Sequence, residues 1–469
     1  MNSIARVTLV GAVMAVVFVP SVICAAEPAE AVDLFMGMTP DAKKGLDYIL
    51  HKPMGTYVMP IADVDRIWQV WEPEEKARAE SATYRDRRKM TFDRYGWVPR
   101  PDGDETGLPL GYTDDGNNGL VNNCFNCHGG KVAGVTTPGA GNTLVDLETF
   151  RVDLTRLKAL DAGKDPMKAN LKLPLNLTTN FHRGVTNAVV LEVLNYVRQN
   201  PQYSLKVMMN PKMLPHHDMN TPSWWTTGHK ERLYLDAFAP KTPRQNMPFA
   251  RNILQDNWEE KWQSLEPEFI HIFQFIEELE PPEYRWDIDS ALASRGAKLF
   301  NRTCADCHGT YGEQVDFPGI IVPIDDIGTD PVRLTAVPKE TRIWNNKRWM
   351  QYYGDQPLVV ESTGYVPPPL NGVWASAPYF HNGSVPTLWG VLNPDERPVV
   401  WKRTEDGYDQ DKGGLEVEEF DAVPEGLSPR HRRMHYDTNH FGNSAAGHTF
   451  PDVLTKDEKR AVIEYLKTL

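Results

Sequence analysis

Two short segments carry the residues best suited to chemistry. Cys124-Phe125-Asn126-Cys127-His128 and Cys304-Ala305-Asp306-Cys307-His308 share one pattern, two cysteines three positions apart followed at once by a histidine. On one helical turn two such thiols reach the two vinyl groups of a single porphyrin and form thioethers, while the adjoining imidazole lies under the iron as proximal ligand. This is the attachment signature of c-type haem, and two copies predict two covalently bound haems c. A structural zinc site made of two C-x-x-C knuckles is the plainer alternative. Its knuckles stand close together, however, whereas more than a hundred residues separate these. Of the five cysteines only Cys24 is left over, so a disulfide scaffold is excluded.

Cys24 falls in an export signal. Arg6 precedes an apolar run from Val7 to Ile23, and Cys24-Ala25-Ala26 offers the small residues of a cleavage site. Bulky Ile23 argues against lipoprotein processing at Cys24, and the run is short for a membrane span. The mature chain is expected to begin at Glu27, to be periplasmic or secreted, and to make no stable membrane insertion. Its formal charge of −13 excludes a nucleic-acid partner, since phosphate binding needs clustered cations.

The elements that must position the two motifs are read from periodicity. Ser290 to Phe300 has helical spacing and leads straight into the second motif. Thr455-x-x-Glu458 is a capping box that opens a last helix with Ala461, Val462, Tyr465, Leu466 and Leu469 on one face. In the first half Phe269, Ile272, Phe273, Ile276 and Leu279 share a face, and Pro281-Pro282 stops that helix. A weaker echo joins the halves: Pro222 to Asp236 and Pro368 to Asn382 are equally spaced. Helical stretches at Pro40 to Leu50 and Pro73 to Thr91 suggest an N-terminal extension. The expected fold is mainly α, two tandem cytochrome c-like haem domains with a helical extension. The divisions fall at 1–26 (signal), 27–110 (extension), 111–285 (first haem domain) and 286–469 (second), with the boundary near Glu283 to Asp289.

The stretch Pro367 to Leu392, PPPLNGVWASAPYFHNGSVPTLWGVL, resembles the bacterial dihaem cytochrome c peroxidase and MauG superfamily. The resemblance covers most of the mature chain with both haem motifs in order. Glu396-Arg397-Pro398, and Tyr436-Asp437-Thr438 through to Gly447-His448, are closest to the rubber-oxygenase branch, although this chain is shorter than those enzymes. The resemblance implies that the C-terminal haem is six-coordinate and handles electrons while the N-terminal haem reacts with peroxide or oxygen. The sixth ligand is Met in the peroxidases, Tyr in the MauG type and His in the rubber-oxygenase branch. His448 matches the last pattern. Met434, His435, His440 and Tyr379 are the other candidates, and an ordinary surface histidine is the plain reading of His448.

Relatives commonly cap the reactive iron with a histidine soon after its motif, but none lies between His128 and His182, which favours an open or water-bound iron. Its distal pocket is expected from Trp224 to Phe249, with Tyr234, Phe238, Met247 and Phe249 as apolar candidates and Glu192 or Glu231 as a base. Core packing is the alternative for each aromatic. Relatives also carry a bridging Trp before an Asp-Gly pair. Here Leu235 and Asp236-Ala237 stand there, so Trp224 or Trp225 becomes the substitute relay, and His381 shapes the site between the halves. Calcium is frequent between the domains of relatives. Asp325, Asp326 and Asp330 suit it by type, as solvated acidic loops also would, and His216-His217 is a metal pair or an exposed loop.

The leading expectation is a periplasmic dihaem oxidoreductase that reduces hydrogen peroxide with electrons from a small cytochrome c or copper protein. An oxygenase or MauG-like oxidase acting on an organic or protein substrate is the alternative. A non-enzymatic electron carrier with both irons saturated is the third.

Overall fold

The structure is a computed structural model that describes residues 37–55, 58–101, 107–168, 182–186, 218–247, 258–335, 343, 346, 360 and 362–469. The signal segment with Cys24, the pair His216-His217, Glu192 and Phe249 lie outside the described residues. From residue 37 onward the described residues belong to one unit.

Helix α1 (Pro40–His51) starts at Thr39, whose side chain accepts from the Ala42 amide. Its N-terminus is held by Glu278, which accepts from both the Thr39 amide (2.9 Å) and hydroxyl (2.8 Å). Helices α2 (Pro73–Ser81), α3 (Tyr84–Tyr95) and α4 (Leu147–Asp161) surround a core of Trp71, Tyr95, Trp97 and Leu157. At its heart Arg94 donates to Glu72, Glu75 and Asp153, so a buried cation is matched by carboxylates from two helices and a loop.

Helix α5 (Trp258–Glu278) buries Phe269, Ile272, Phe273 and Ile276, with Leu279 just beyond its end, and ends before Pro281-Pro282. It runs along α1 at such close range that a Cβ on Gly45 would stand 2.0 Å from the His271 carbonyl oxygen. Helix α6 (Ser290–Thr303) is capped by Asp289 and packs on α8 (Lys456–Leu466) in the same manner: a Cβ on Gly296 would meet the Ala461 carbonyl oxygen at 1.9 Å. The capping box at Thr455 and Glu458 is formed. Between α6 and α8 lies the short α7 (Leu388–Leu392).

The mainly α expectation is corrected by the strands. Antiparallel β1 (Val58–Pro60), β3 (Gly119–Asn122) and β2 (Tyr112–Asp114) form one sheet, and β4 (Gly129–Val132) pairs with β5 (Val135–Pro138) just past the first motif. A long hairpin of β6 (Val400–Asp409) and β7 (Gly414–Phe420) carries β8 (Tyr436–Asp437) on its other edge. Three further two-residue pairs complete a mixed α and β fold. Most strands are too short to show alternation, and the hairpin is so rich in charge that its period of two is hidden.

Two clear tandem domains are not present either. Trp374 and Ala375 of the second half lie in the same core as Trp224, Trp225, Phe269 and Phe275 of the first. Val185 joins Trp401, Leu415 and Tyr436 in another. Asn220 donates its amide to His381 O (2.7 Å) and its side chain to Pro378 O (2.6 Å). Arg430 reaches Glu75 (2.9 Å), tying the end of the chain to the N-terminal helices. Side chains with hydrophobic partners on both sides of the Glu283–Asp289 loop erase the division that the repeated motif suggests.

Candidate haem-attachment sites

The first motif follows a strand. β3 ends at Asn122, the Asn123 side chain accepts the Phe125 amide (2.9 Å), and Phe125–His128 forms one helical turn. Phe125 anchors that turn in the core, 5.7 Å from Trp224 and 6.2 Å from Phe275 between ring centres. The His128 Nδ1 lies 3.1 Å from the Pro222 carbonyl oxygen. A carbonyl only accepts, so Nδ1 carries the proton and Nε2 keeps its lone pair for a metal. Trp224 stacks on the imidazole with centroids 4.5 Å apart and planes 21° from parallel. Burial lowers the His128 pKa to about 4, which keeps the ring neutral at pH 7. Burial also pushes the Cys124 and Cys127 thiols up to about 11 and about 12.

The second motif follows a helix. α6 runs into Cys304, and the turn Ala305–His308 repeats the first. The His308 Nδ1 lies 3.0 Å from the Pro368 carbonyl oxygen, the counterpart of the Pro222 contact, and burial again lowers its pKa. Tyr311 steadies the turn by donating to His308 O (2.9 Å) while accepting the Leu370 amide (2.6 Å). In place of an indole, His308 faces the imidazole of His448, centroids 6.2 Å apart and planes crossed at 68°. Two imidazoles sharing one metal, each bonded at about 2 Å with its centre about 1 Å beyond the bonding nitrogen, stand about 6 Å apart. The pair has that spacing. Burial, with His308 and Arg397 nearby, lowers the His448 pKa to about 4.

Each motif thus offers two thiols free of disulfides and one neutral imidazole with its Nδ1 tied, the donor set that haem c requires. The echo between the halves is also local geometry. Tyr234 and Phe380, equally spaced from Pro222 and Pro368, both sit at φ +67°, and Ala237 and Gly383 three residues later both have positive φ.

Other singled-out residues are placed as follows. Trp225 is buried, its Nε1 2.7 Å from where a Cβ on Gly372 would stand. Phe238 meets Tyr234 edge-on at 5.8 Å, and the guanidinium of Arg333 lies over both rings while donating to Asp236 (3.2 Å). Met247 is buried and Glu231 exposed. His381 is buried against Tyr365 at 5.2 Å. Of the candidates for the sixth position, Tyr379 donates to Val373 O and Gly413 O, and His435 contacts His431 O. His440 stands 6.3 Å from His182, and Met434 lines a small cavity with Arg403 and Trp401. Only His448 among them shares a ring contact with His308 among the described residues. Asp330 accepts the Val332 and Ser444 amides, and Asp325 and Asp326 are exposed. The described residues hold no group of three or more His, Cys, Asp or Glu converging on a cation site.

The sequence reading missed Arg333 and the buried His182, which bonds Asp218 (3.1 Å) and accepts the Asp437 amide (3.1 Å). It quoted Arg397 only within a motif. No periodicity or spacing reveals such partners: Asp236 and Asp218 are distant along the chain from Arg333 and His182, and Arg397 fastens Ala445 and Gly447 from far away.

Residues 364–402 match a family model described as RoxA-like, cytochrome c-like. The matched stretch contains Pro368, Phe380, His381 and Arg397. Two proteins of Sinorhizobium fredii, y4iJ and y4iM, both named as uncharacterized, are similar to this chain. The first is 29% identical over 307 residues, 51% of this chain and 50% of its own. The second is 30% identical over 239 residues, 42% of this chain and 53% of its own. The chain spans about half the length of the curated relatives it matches. Together with the C-x-x-C-H turns, the match supports a haem-binding redox protein with a cytochrome c-like part of the RoxA-like branch. Among the described residues no helix is long and apolar enough to cross a membrane.

Proposed function

We propose that this chain is a dihaem c-type oxidoreductase, exported to the periplasm or secreted, with two unlike sites. The observation that carries the reading is the difference between two otherwise matching turns: His308 faces a second buried imidazole, His448, whereas His128 is stacked on Trp224. Haem, when bound, supplies an iron that changes oxidation state and can take small oxidants. Cys304, Cys307, His308 and His448 would hold one haem, a donor set suited to passing electrons. Cys124, Cys127 and His128 would hold the other, and the lack of any histidine from residue 129 to residue 181 supports an accessible sixth position there.

Within this reading Pro222 and Pro368 fix the tautomer of each proximal histidine. Trp224 holds the plane of His128 and offers an indole for electron movement. Trp225 and Phe238 share the core that holds Trp224 and Trp374, and His381 stands against Tyr365. The reaction is reduction of hydrogen peroxide to water with electrons from a small cytochrome c or copper protein. The RoxA-like match favours a second reading, oxidation of an organic substrate by oxygen.

The test is the purified full-length protein with its haem. A haem count of two, one site unresponsive and one that binds carbon monoxide and reacts with peroxide, is the expected result. Peroxide turnover with a reduced small cytochrome selects the first reading, and oxygen uptake driven by an organic substrate without a donor protein selects the second. Two low-spin haems, inert to peroxide, oxygen and carbon monoxide, overturn both.

A further inference from the structure

His448 has an uncommon backbone. Its φ of +52° is left-handed, a conformation that a non-glycine residue keeps only where its surroundings impose it. On one side the surroundings are backbone. The His448 amide donates to Ile327 O (2.7 Å), and Gly447, at φ +81°, passes so near Gly328 that a Cβ would stand 2.3 Å from its carbonyl carbon. On the other side the rings of Phe450 (5.8 Å) and Phe380 face the imidazole, and one side chain ties the loop to α7. Arg397 donates its Nε to Gly390 O (2.8 Å) and its Nη2 to Val391 O (3.2 Å), both in α7. Its Nη1 donates to Gly447 O (2.8 Å) and to Ala445 O. The guanidinium lies 5.0 Å over the ring of Phe380, which itself stands 6.2 Å from His448. No ion pair involving Arg397 is present among the described residues, so its fork is spent on carbonyl oxygens.

We propose that Arg397 is the positioning residue of the sixth-ligand loop: one planar guanidinium fastens the carbonyls of Ala445 and Gly447 to those of Gly390 and Val391, and so keeps His448 facing His308. The proposal rests on the reading of His448 as an iron ligand. It follows from donor geometry. Four carbonyls from two segments are reached in three directions by one rigid group, which an ammonium on a flexible stem cannot reproduce. The charge itself is secondary, since among the described residues no carboxylate pairs with it, and Asp452 and Asp395 act on it without an ion-pair contact. Loss of the fork would free Ala445 to Gly447, and the strained φ at His448 would relax by moving the imidazole away from His308.

The experiment compares the haem-loaded full-length chain with its Arg397→Met, Arg397→Lys and His448→Ala variants. Ferric low-temperature magnetic resonance, visible spectra and the rate at which added cyanide enters each haem are recorded, with haem content and far-ultraviolet circular dichroism as controls. In the His448→Ala protein the bis-imidazole signal of one haem disappears and added imidazole restores it. Both Arg397 variants are expected to keep two haems and native secondary structure, yet to lose much of that same signal and admit cyanide faster at that haem alone. The similarity of Lys to Met is the mark of a fork. Should Arg397→Met fail to accumulate, the Lys variant decides alone. An Arg397→Lys protein with the wild-type signal and cyanide rate overturns the proposal while leaving His448 as ligand. A His448→Ala protein with an unchanged signal overturns the ligand reading beneath it.

Discussion

The two C-x-x-C-H turns share their form and their proline contact but differ in what delivers them and in what faces the imidazole. Each ends in a histidine whose Nδ1 meets a proline carbonyl, at 3.1 Å and 3.0 Å. One turn is delivered by a strand into an aromatic core, the other by a helix that packs on the last helix of the chain. The turn is therefore a local property of five residues, whereas what stands across from the imidazole is set by segments about a hundred residues away or more. The two imidazoles meet unlike neighbours because the fold, rather than the motif, chooses them.

The largest effect expected from this contrast comes from removing attachment at one turn only. Replacing Cys124 and Cys127 by Ser should leave a protein with half the covalent haem, measured by staining after denaturation, and no response to peroxide or carbon monoxide. Replacing Cys304 and Cys307 should also halve the haem but keep a site that binds carbon monoxide. Equal behaviour of the two double variants would remove the division of labour.

A smaller effect is expected from Trp224→Leu. The indole is stacked on His128 and meets Phe125 and Phe275, so its loss should cost about 3 kcal/mol of stability from cavity and aromatic contacts together. The spectrum of the first haem should broaden while the signal assigned to His308 and His448 stays. A change confined to the second haem would show that Trp224 acts across the molecule and not on His128.

The contrast also separates what a sequence displays from what it hides. Both attachment turns, the closing face of α5 and the capping box at Thr455 are patterns within a few residues of one another, and each is present in the structure. The equal spacing from Pro222 and Pro368 was legible too, and it corresponds to matching φ angles at Tyr234 and Phe380. The error lay in extending that local repeat to two separate mainly α domains. Hairpin β6–β7 has too many charged residues to show alternation, and Trp374 reads as part of the second half although it packs with the first. Arg397 and Arg333 were invisible as partners for the same reason. Arg397 meets backbone carbonyls and a ring, Arg333 meets Asp236 and two rings, and no spacing rule connects them.

The smallest effect tests whether the two unlike sites share one folding unit. Arg183, held to Leu144 O (2.7 Å) in the first half, donates to Glu405 on β6 (2.6 Å). Burial alone would raise the Glu405 pKa, but the charge and hydrogen bond of Arg183, with the charges of Arg403 and Lys131, together outweigh it and hold the carboxyl below its ordinary value. A depressed carboxyl stabilises the fold above the unfolded value of about 4.3, and that contribution fades as pH falls through the folded value. Glu405 is 56% exposed, so solvent screens the pair and Glu405→Gln should cost no more than about 1 kcal/mol at pH 7 and almost nothing in acid. Because the cores interpenetrate, denaturant curves followed at the first haem and at the second should coincide and shift together in the variant. A shift seen only at the second haem would mean that the halves unfold separately, and that the shared core around Trp225 and Trp374 does not couple the two sites.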